Sequence, residues 1–442
     1  MSAPPLPSFR QALAVWWRIG LLSFGGPAAQ IAMLHRAVVD EHRWVSERRF
    51  LHALNFCTLL PGPEAQQLAT YLGWLMHGVR GGLAAGLLFV LPGAAVMLGL
   101  SILHATLGEV PAVAALFFGL KAAVLVLVVE ALLRIGRRAL KGRTAWAVAA
   151  AAFVALYALD IPFPAVVLAA AILGFLVPDA FVRTGHGTAG SDASPSALDA
   201  VLAADPGRPA RMATDARRAG WIAIGLWLAP TAFLVAAGGG VFADVAWFFS
   251  KMAVVTVGGA YAVLAYVAQE AVEHYRWLTA PEMLVGLGLA ETTPGPLILV
   301  LQFVGFLAGH QAAGIAGGVL AAILTLWVTF APCFAFIFLG APAVERAHGN
   351  RALTGALAAV TAAVVGVIAN LALWFGLRVL FAEVRPLELG PARLDLPVPA
   401  TLDPAALAIA VLAAICLFRL RLGVVRTLAV ATAAGLAIRL AF

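Results

Sequence analysis

The sequence predicts an all-α polytopic membrane protein built from two homologous repeats, each with a helix broken at a Pro-Gly-Pro motif. Three observations carry this. Of 442 residues, 62% are hydrophobic and 12% charged, and the mean hydropathy is +0.96, outside the range of soluble domains. Apolar stretches able to span about 30 Å of hydrocarbon recur along the chain, as at 83–107 and 315–339. Finally, unusual residues repeat 233 positions apart: Gly25-Gly26 with Gly258-Gly259, Pro61-Gly62-Pro63 with Pro294-Gly295-Pro296, Arg43-Trp44 with Arg276-Trp277, and Arg18 with Lys251. Four coincidences at one offset, among interchangeable Ala, Leu and Val, point to duplication.

Residues 1–8 are small and Pro-rich and lack the basic region, apolar run and cleavage site of a secretory signal, so the first membrane segments are expected to direct insertion. An opening helix then runs into Gly25-Gly26. A polar loop ends at Arg43-Trp44, a helix is broken at Pro-Gly-Pro, and apolar spans follow at 83–107 and 111–133, with a further pair at 144–159 and 162–182. Residues 183–218, rich in Gly, Ala, Ser, Asp, Pro and Arg, read as a flexible cytoplasmic connector. A helix near 221–238 leads into the second copy, whose spans are 315–339 and 352–381. Helices at 404–418 and 424–442 close the chain. The predicted organisation is thus 1–182 for the first repeat and following pair, 183–218 for the connector, 219–382 for the second repeat, and 383–442 for a C-terminal loop and helix pair.

The formal charge of +7 lies in short loops between apolar runs, as positive-inside sorting requires and nucleic-acid binding does not. Residues 134–143 hold five Lys/Arg and no acid, which makes that loop cytoplasmic. Residues 36–49 hold four arginines and their counterpart 269–282 only one. That bias places the two loops on opposite sides and predicts inverted repeats, although the segment count between them favours one side. Cys57, Cys333 and Cys416 lie in apolar stretches without CxxC spacing, and His35, His42, His52, His77 and His104 show no metal-binding spacing. No Walker or GxGxxG sequence is present, so no cofactor is expected and gradients must supply any driving force.

Each Pro-Gly-Pro removes two backbone donors and forces the helix to stop and restart. A restarted helix at membrane depth turns N–H groups and a positive dipole end towards protein or a cavity, which suits an anion; the alternative is a tight extramembrane turn. Arg18 and Lys251 each stand seven residues before a Gly-Gly, on the same helical face. Cations within apolar helices are functional candidates unless they snorkel to the interface. Gly25-Gly26 and Gly258-Gly259 fit either close substrate approach or helix packing. Glu64, in the first turn after the first break with Gln66 and Gln67, and Glu291, before Thr292-Thr293, are candidates for proton linkage or for helix capping. Lys121 is a further cation within an apolar span.

Ser23-Phe24-Gly25-Gly26-Pro27, Arg43-Trp44, Leu60-Pro61-Gly62-Pro63 and Thr293-Pro294-Gly295-Pro296 resemble the signature of the chromate transporter family, and the resemblance runs from about Phe9 to Phe381. It implies a secondary transporter, not an enzyme, exporting chromate across the bacterial inner membrane and conferring resistance, with sulfate as a related oxyanion. The partners implied are the chromate or sulfate anion and the lipid bilayer, with no nucleic acid; a homodimer is compatible. Together, resemblance and residue chemistry assign substrate contacts to Arg18, Gly25, Gly26, Pro61, Gly62, Pro63, Gln66, Lys251, Gly258, Gly259, Thr292, Thr293, Pro294, Gly295 and Pro296. Glu64, Glu291 and Lys121 are left as proton-coupling candidates. The second copy departs from the signature by Val257 before Gly258-Gly259. A carboxylate coupler fits proton-linked sulfate uptake more simply than export, which keeps an uptake permease as the alternative. An intramembrane enzyme or scaffold is disfavoured by the lack of a nucleophile, base and metal cluster.

Overall fold

The computed structural model describes residues 5–181, 196–205, 207–256, 260–341, 351–390 and 392–441. Among them, five helices are long and apolar enough to cross a membrane. The chain forms two compact units that do not follow the repeats. One draws on Met1–Gly99, Gly185–Gly259 and Thr293–Gly349, the other on Leu100–Thr184, Ala260–Thr292 and Asn350–Phe442. Each unit therefore takes segments from both copies.

In the first unit, Ser8 and Gln11 form a capping box that starts α1 (Phe9–Leu22). The chain turns at Gly25 and enters α2 (Gly26–His35), which runs into a π-helical turn, Arg36–Glu41. Arg43 then adopts φ 51°, and the Trp44 N–H donates back to Val38 O at 2.8 Å. This left-handed closure satisfies carbonyls at the helix end, and the Trp44 ring stacks on His42 with centroids 4.6 Å apart. The second unit builds the same device between α11 (Ala260–Gln269) and α12 (Ala280–Thr292). There Arg276 has φ 55°, the Trp277 N–H reaches Ala271 O at 2.9 Å, and Tyr275 stacks on Trp277 at 4.3 Å. The recurring Arg-Trp is thus a helix terminator.

After α3 (Glu47–Cys57) comes α4 (Glu64–Leu107), and its counterpart is α13 (Val300–Gly340). Each is a pair of helices in hairpin, reversing at His77-Gly78 and at Ala313-Gly314. A Cβ at Gly73 would lie 2.4 Å from Gly81 O, whereas eight residues of straight helix span about 12 Å. Gly309 meets Gly317 in the same way. The remaining helices of this unit, α8 (Ala197–Ala204), α9 (Arg208–Ala236) and α10 (Gly240–Val255), include two that pack against α13. Phe248, Phe249, Phe303, Phe306 and Phe338 are fully buried in its core.

The second unit is arranged around α14 (Arg351–Leu380), which packs on α5 (Pro111–Ala139), α6 (Arg143–Tyr157) and α7 (Phe163–Leu176). Helices α15 (Pro404–Ala414) and α16 (Val424–Ala441) cover α5. Backbones come close where small residues meet, as at Gly366 against Ala149 O. Residues 384–397, read from sequence as part of a loop, form an antiparallel hairpin, β1 (Val384–Leu389) with β2 (Ala392–Pro397). It is anchored by Arg393 N–H to Ala158 O, Tyr157 OH to Asp395 O, and Arg378 between Glu273 and Asp395.

The connector also needs correction. Residues 182–195 lie outside the described residues, but 197–204 and 208 onward are helical. α8 is docked: its Ala197 and Leu198 N–H groups donate to Arg43 O and Trp44 O, and Arg49 pairs with Asp199. Partial burial would raise the Asp199 carboxyl. Hydrogen bonds from Arg49, Ser196 and Ser46 outweigh it and hold the group below the usual aspartate range. A depressed folded-state pKa gives stability that is complete above the unfolded value, about 3.9, and lost as pH falls through the lower folded value. Hydrogen exchange should therefore show α8 well protected at neutral pH and released under acid. Asp199→Asn should release it already at pH 7; unchanged protection in that variant would show the pair is idle.

Candidate substrate site at the crossed helix breaks

The two Pro-Gly-Pro breaks are joined crosswise within the first unit. Gly62 (φ 118°) donates its N–H to Thr256 O at 2.8 Å, and Gly295 (φ 97°) donates to Ser23 O at 3.0 Å and to Ser23 Oγ at 2.9 Å. Thr256 is the 233-residue counterpart of Ser23, and Gly295 that of Gly62. Each copy's Pro-Gly-Pro is thus held by the helix end that precedes the other copy's Gly-Gly. Both glycines need φ values that side chains rarely adopt.

Two buried amides complete the breaks. Gln30 Nε2 donates to Ser23 O at 3.0 Å and Gly295 O at 2.6 Å, and Gln67 Nε2 donates to Pro61 O at 2.7 Å. These bonds satisfy carbonyls that a broken helix leaves without donors. Around them the breaks differ. A Cβ at Gly62 would meet Cys333 Sγ and Gln67 Nε2, each at 2.9 Å, whereas one at Gly295 would meet the Leu299 side chain at 3.1 Å. On the second side, Gly93 packs its backbone against the break, where a Cβ would lie 1.8 Å from Pro294 O. Gly93 follows Pro92 inside α4 and Cys333 follows Pro332 inside α13, so each lies next to a helix-interior proline.

The N–H groups of the loop glycines Gly62 and Gly295 are paired with protein carbonyls, so the anion expectation rests on the first-turn N–H groups of the restarted helices. Of the other sequence candidates, Pro61, Pro63 and Glu64 are half-buried at the first break, Gln66 is buried and bonded to Thr70 Oγ1 at 3.1 Å, and Thr293, Pro294 and Pro296 are buried at the second. Gly25 and Gly26 have φ 89° and 78°, and a Cβ at Gly26 would meet nothing, so that glycine serves the turn rather than packing. Gly258 and Gly259 lie outside the described residues. Lys251 is half-buried on α10 with its ammonium 5.5 Å from the Phe248 ring centre, while Arg18 is exposed on α1. Glu291, Thr292 and Lys121 belong to the second unit. There Glu291 accepts from Tyr261, Thr292 bonds Gly288 O and Leu289 O of its own helix, and Lys121 is half-buried on α5.

Sequence reasoning missed Ser23, Thr256, Gln30, Gly93 and Cys333 as parts of this site and gave Gln67 no role of its own. The one available signal was a neutral amide inside an apolar segment. Gly93→Ala should cost about 1–3 kcal/mol through overpacking, lowering the thermal midpoint in detergent. Gly62→Ala should stop anion flux; normal flux in that variant would show that the break tolerates a side chain and is not the site.

Comparison with known proteins agrees with this architecture. The chromate transporter family profile matches residues 10–175 and 243–438, one stretch per copy. The chain is 36% identical over 371 residues to a chromate transport protein of Pseudomonas aeruginosa, covering 83% of this chain and 81% of the relative. It is 26% identical over 371 residues to the chromate transport protein of Cupriavidus metallidurans, covering 82% of each. An uncharacterized transporter of Methanocaldococcus jannaschii is 24% identical over 376 residues, 84% of this chain and 86% of the relative. No solved structure matches the chain. With its signature motifs holding the two breaks together, this multi-pass membrane protein belongs to the chromate transporter family, a family of transport proteins rather than enzymes.

Proposed function

We propose that the protein is a secondary transporter that exports chromate from the bacterial cytoplasm across the inner membrane, the anion passing at the crossed breaks. The observation that carries this reading is the reciprocal bonding of the two Pro-Gly-Pro loops. It gathers non-helical backbone and buried amides at one place in an otherwise apolar bundle, as discontinuous helices do in substrate sites. The names of the relatives in Pseudomonas and Cupriavidus support the substrate.

Export needs no chemical energy. Each negative charge leaving a cell that is negative inside gains about 2.3 kcal/mol per 100 mV, so the potential alone can drive the anion outward. Lys251, half-buried beside the path on α10, supplies positive charge, and Arg18, exposed on α1, draws anions from the interface. The unequal arginine content of the two π-turn loops supports inverted repeats. A second reading, proton-linked uptake of sulfate, is favoured by the half-buried Glu64 carboxyl in the first turn after the break.

Inside-out vesicles with an imposed lumen-positive potential separate the two. Chromate should accumulate in the lumen, and Lys251→Ala should reduce the initial rate about tenfold or more, with Arg18→Ala milder. Flux that ignores the potential and follows an imposed proton gradient in the opposite direction would establish the uptake carrier instead.

A further inference from the structure

We infer that the anion crosses these breaks carrying a proton: the site is built for a hydrogen oxyanion, with one O–H donor and one negative charge, rather than a bare dianion. The inference rests on the reading of the breaks as an oxyanion path, and it names the form that travels.

The hydrogen-bond inventory leads to it. A bare dianion offers only acceptors, so its site must present donors. At the crossing, the loop and amide donors are turned to protein groups: Gly62 N–H to Thr256 O, Gly295 N–H to Ser23, Gln30 Nε2 to two carbonyls, Gln67 Nε2 to Pro61 O. The amide acceptors are left over. Gln30, Gln66, Gln67 and Gln302 are each at most 1% exposed, and the Oε1 of every one is buried without a partner among the described residues. Flipping the Gln30 amide does not help, since its oxygen would then face two carbonyl oxygens 3.0 and 2.6 Å away. Its orientation is fixed by those neighbours. Gln67 is held the same way by Pro61 O, and Gln302 by Ala94 O at 3.0 Å.

Unpaired amide oxygens repel an oxyanion oxygen and attract an O–H. Among tetrahedral oxyanions this discriminates by acidity. The second ionisation of chromate lies near neutrality, so a sizeable share of it is hydrogen chromate in a cell. Hydrogen sulfate is a much stronger acid, and sulfate at the same pH carries no proton. Charge and shape do not separate chromate from sulfate, whereas a donor requirement does. Sites built to hydrogen-bond a substrate hydroxyl reject analogues lacking it by as much as about 10⁴–10⁵.

The test uses the unsubstituted full-length protein in proteoliposomes with equal pH on both sides. At fixed total chromate, the initial rate should fall by about an order of magnitude between pH 6 and pH 8, along the titration of hydrogen chromate itself. Sulfate flux at pH 7 should be at least about a hundredfold slower. The ratio of current to chromate flux should give one elementary charge per anion. In Gln30→Leu and Gln67→Leu, which remove the acceptors, chromate should lose most of its advantage over sulfate. Equal chromate and sulfate rates, or two charges moved per chromate, would overturn the inference and leave the transport reading standing. Absence of chromate flux at every pH would overturn the transport reading, and this inference with it.

Discussion

Two backbone hydrogen bonds, Gly62 N–H to Thr256 O and Gly295 N–H to Ser23 O, hold the centre of the first unit together. A peptide group inside a bilayer has no water to fall back on, so any interruption of a helix must be repaired by another part of the protein. Each Pro-Gly-Pro creates such an interruption, and each is repaired by the helix end of the opposite copy. Other features follow from that need. The glycines supply φ values that aim the N–H outward from the loop, Gly93 lets a neighbouring backbone reach Pro294, and Gln30 and Gln67 bring amide donors to the remaining carbonyls.

Much of this was legible in the sequence because it rests on residues with few substitutes. Pro-Gly-Pro and Gly-Gly stand out from an Ala/Leu/Val background, and their common offset exposed the duplication and, through the family signature, the kind of protein. The Arg-Trp pair was visible but not its meaning, since a left-handed arginine leaves no mark in composition. The hairpins within α4 and α13 were hidden because a two-residue reversal at His77-Gly78 or Ala313-Gly314 barely interrupts an apolar pattern. Which residues face a break was least accessible. Gln30 and Gln302 stand only a few residues past motifs, but their bonds to Gly295 O and Ala94 O arise through tertiary contact, and the alternation of residues 384–397 was too short and Pro-containing to stand out as strands.

The duplication preserved the frame and let the lining diverge. Gln67 and Cys333 stand beside the first break where Leu299 and Gly93 stand beside the second, and the counterpart of Gln30 is Val263. One side of the crossing is therefore polar through its own helix, and the other through side chains borrowed from the first copy, the Gln30 amide and the Ser23 hydroxyl. The distribution over units is unequal as well: α2 and α3 join the first unit, their equivalents α11 and α12 the second.

The reciprocity of the two bonds bears on how such a chain arose. Gly62 does not pair with Ser23 of its own copy; it pairs with the residue at that position in the other. A single copy with these motifs would leave an N–H and a carbonyl unmatched at each break. Only association with a second copy of itself would close the set. Gene fusion then changes nothing at the crossing except the concentration of the partner, which becomes fixed by the tether and no longer depends on expression. Once tethered, the two halves are free to drift apart in sequence wherever the exchanged backbone bonds, which any residue able to adopt the conformation can make, are left intact.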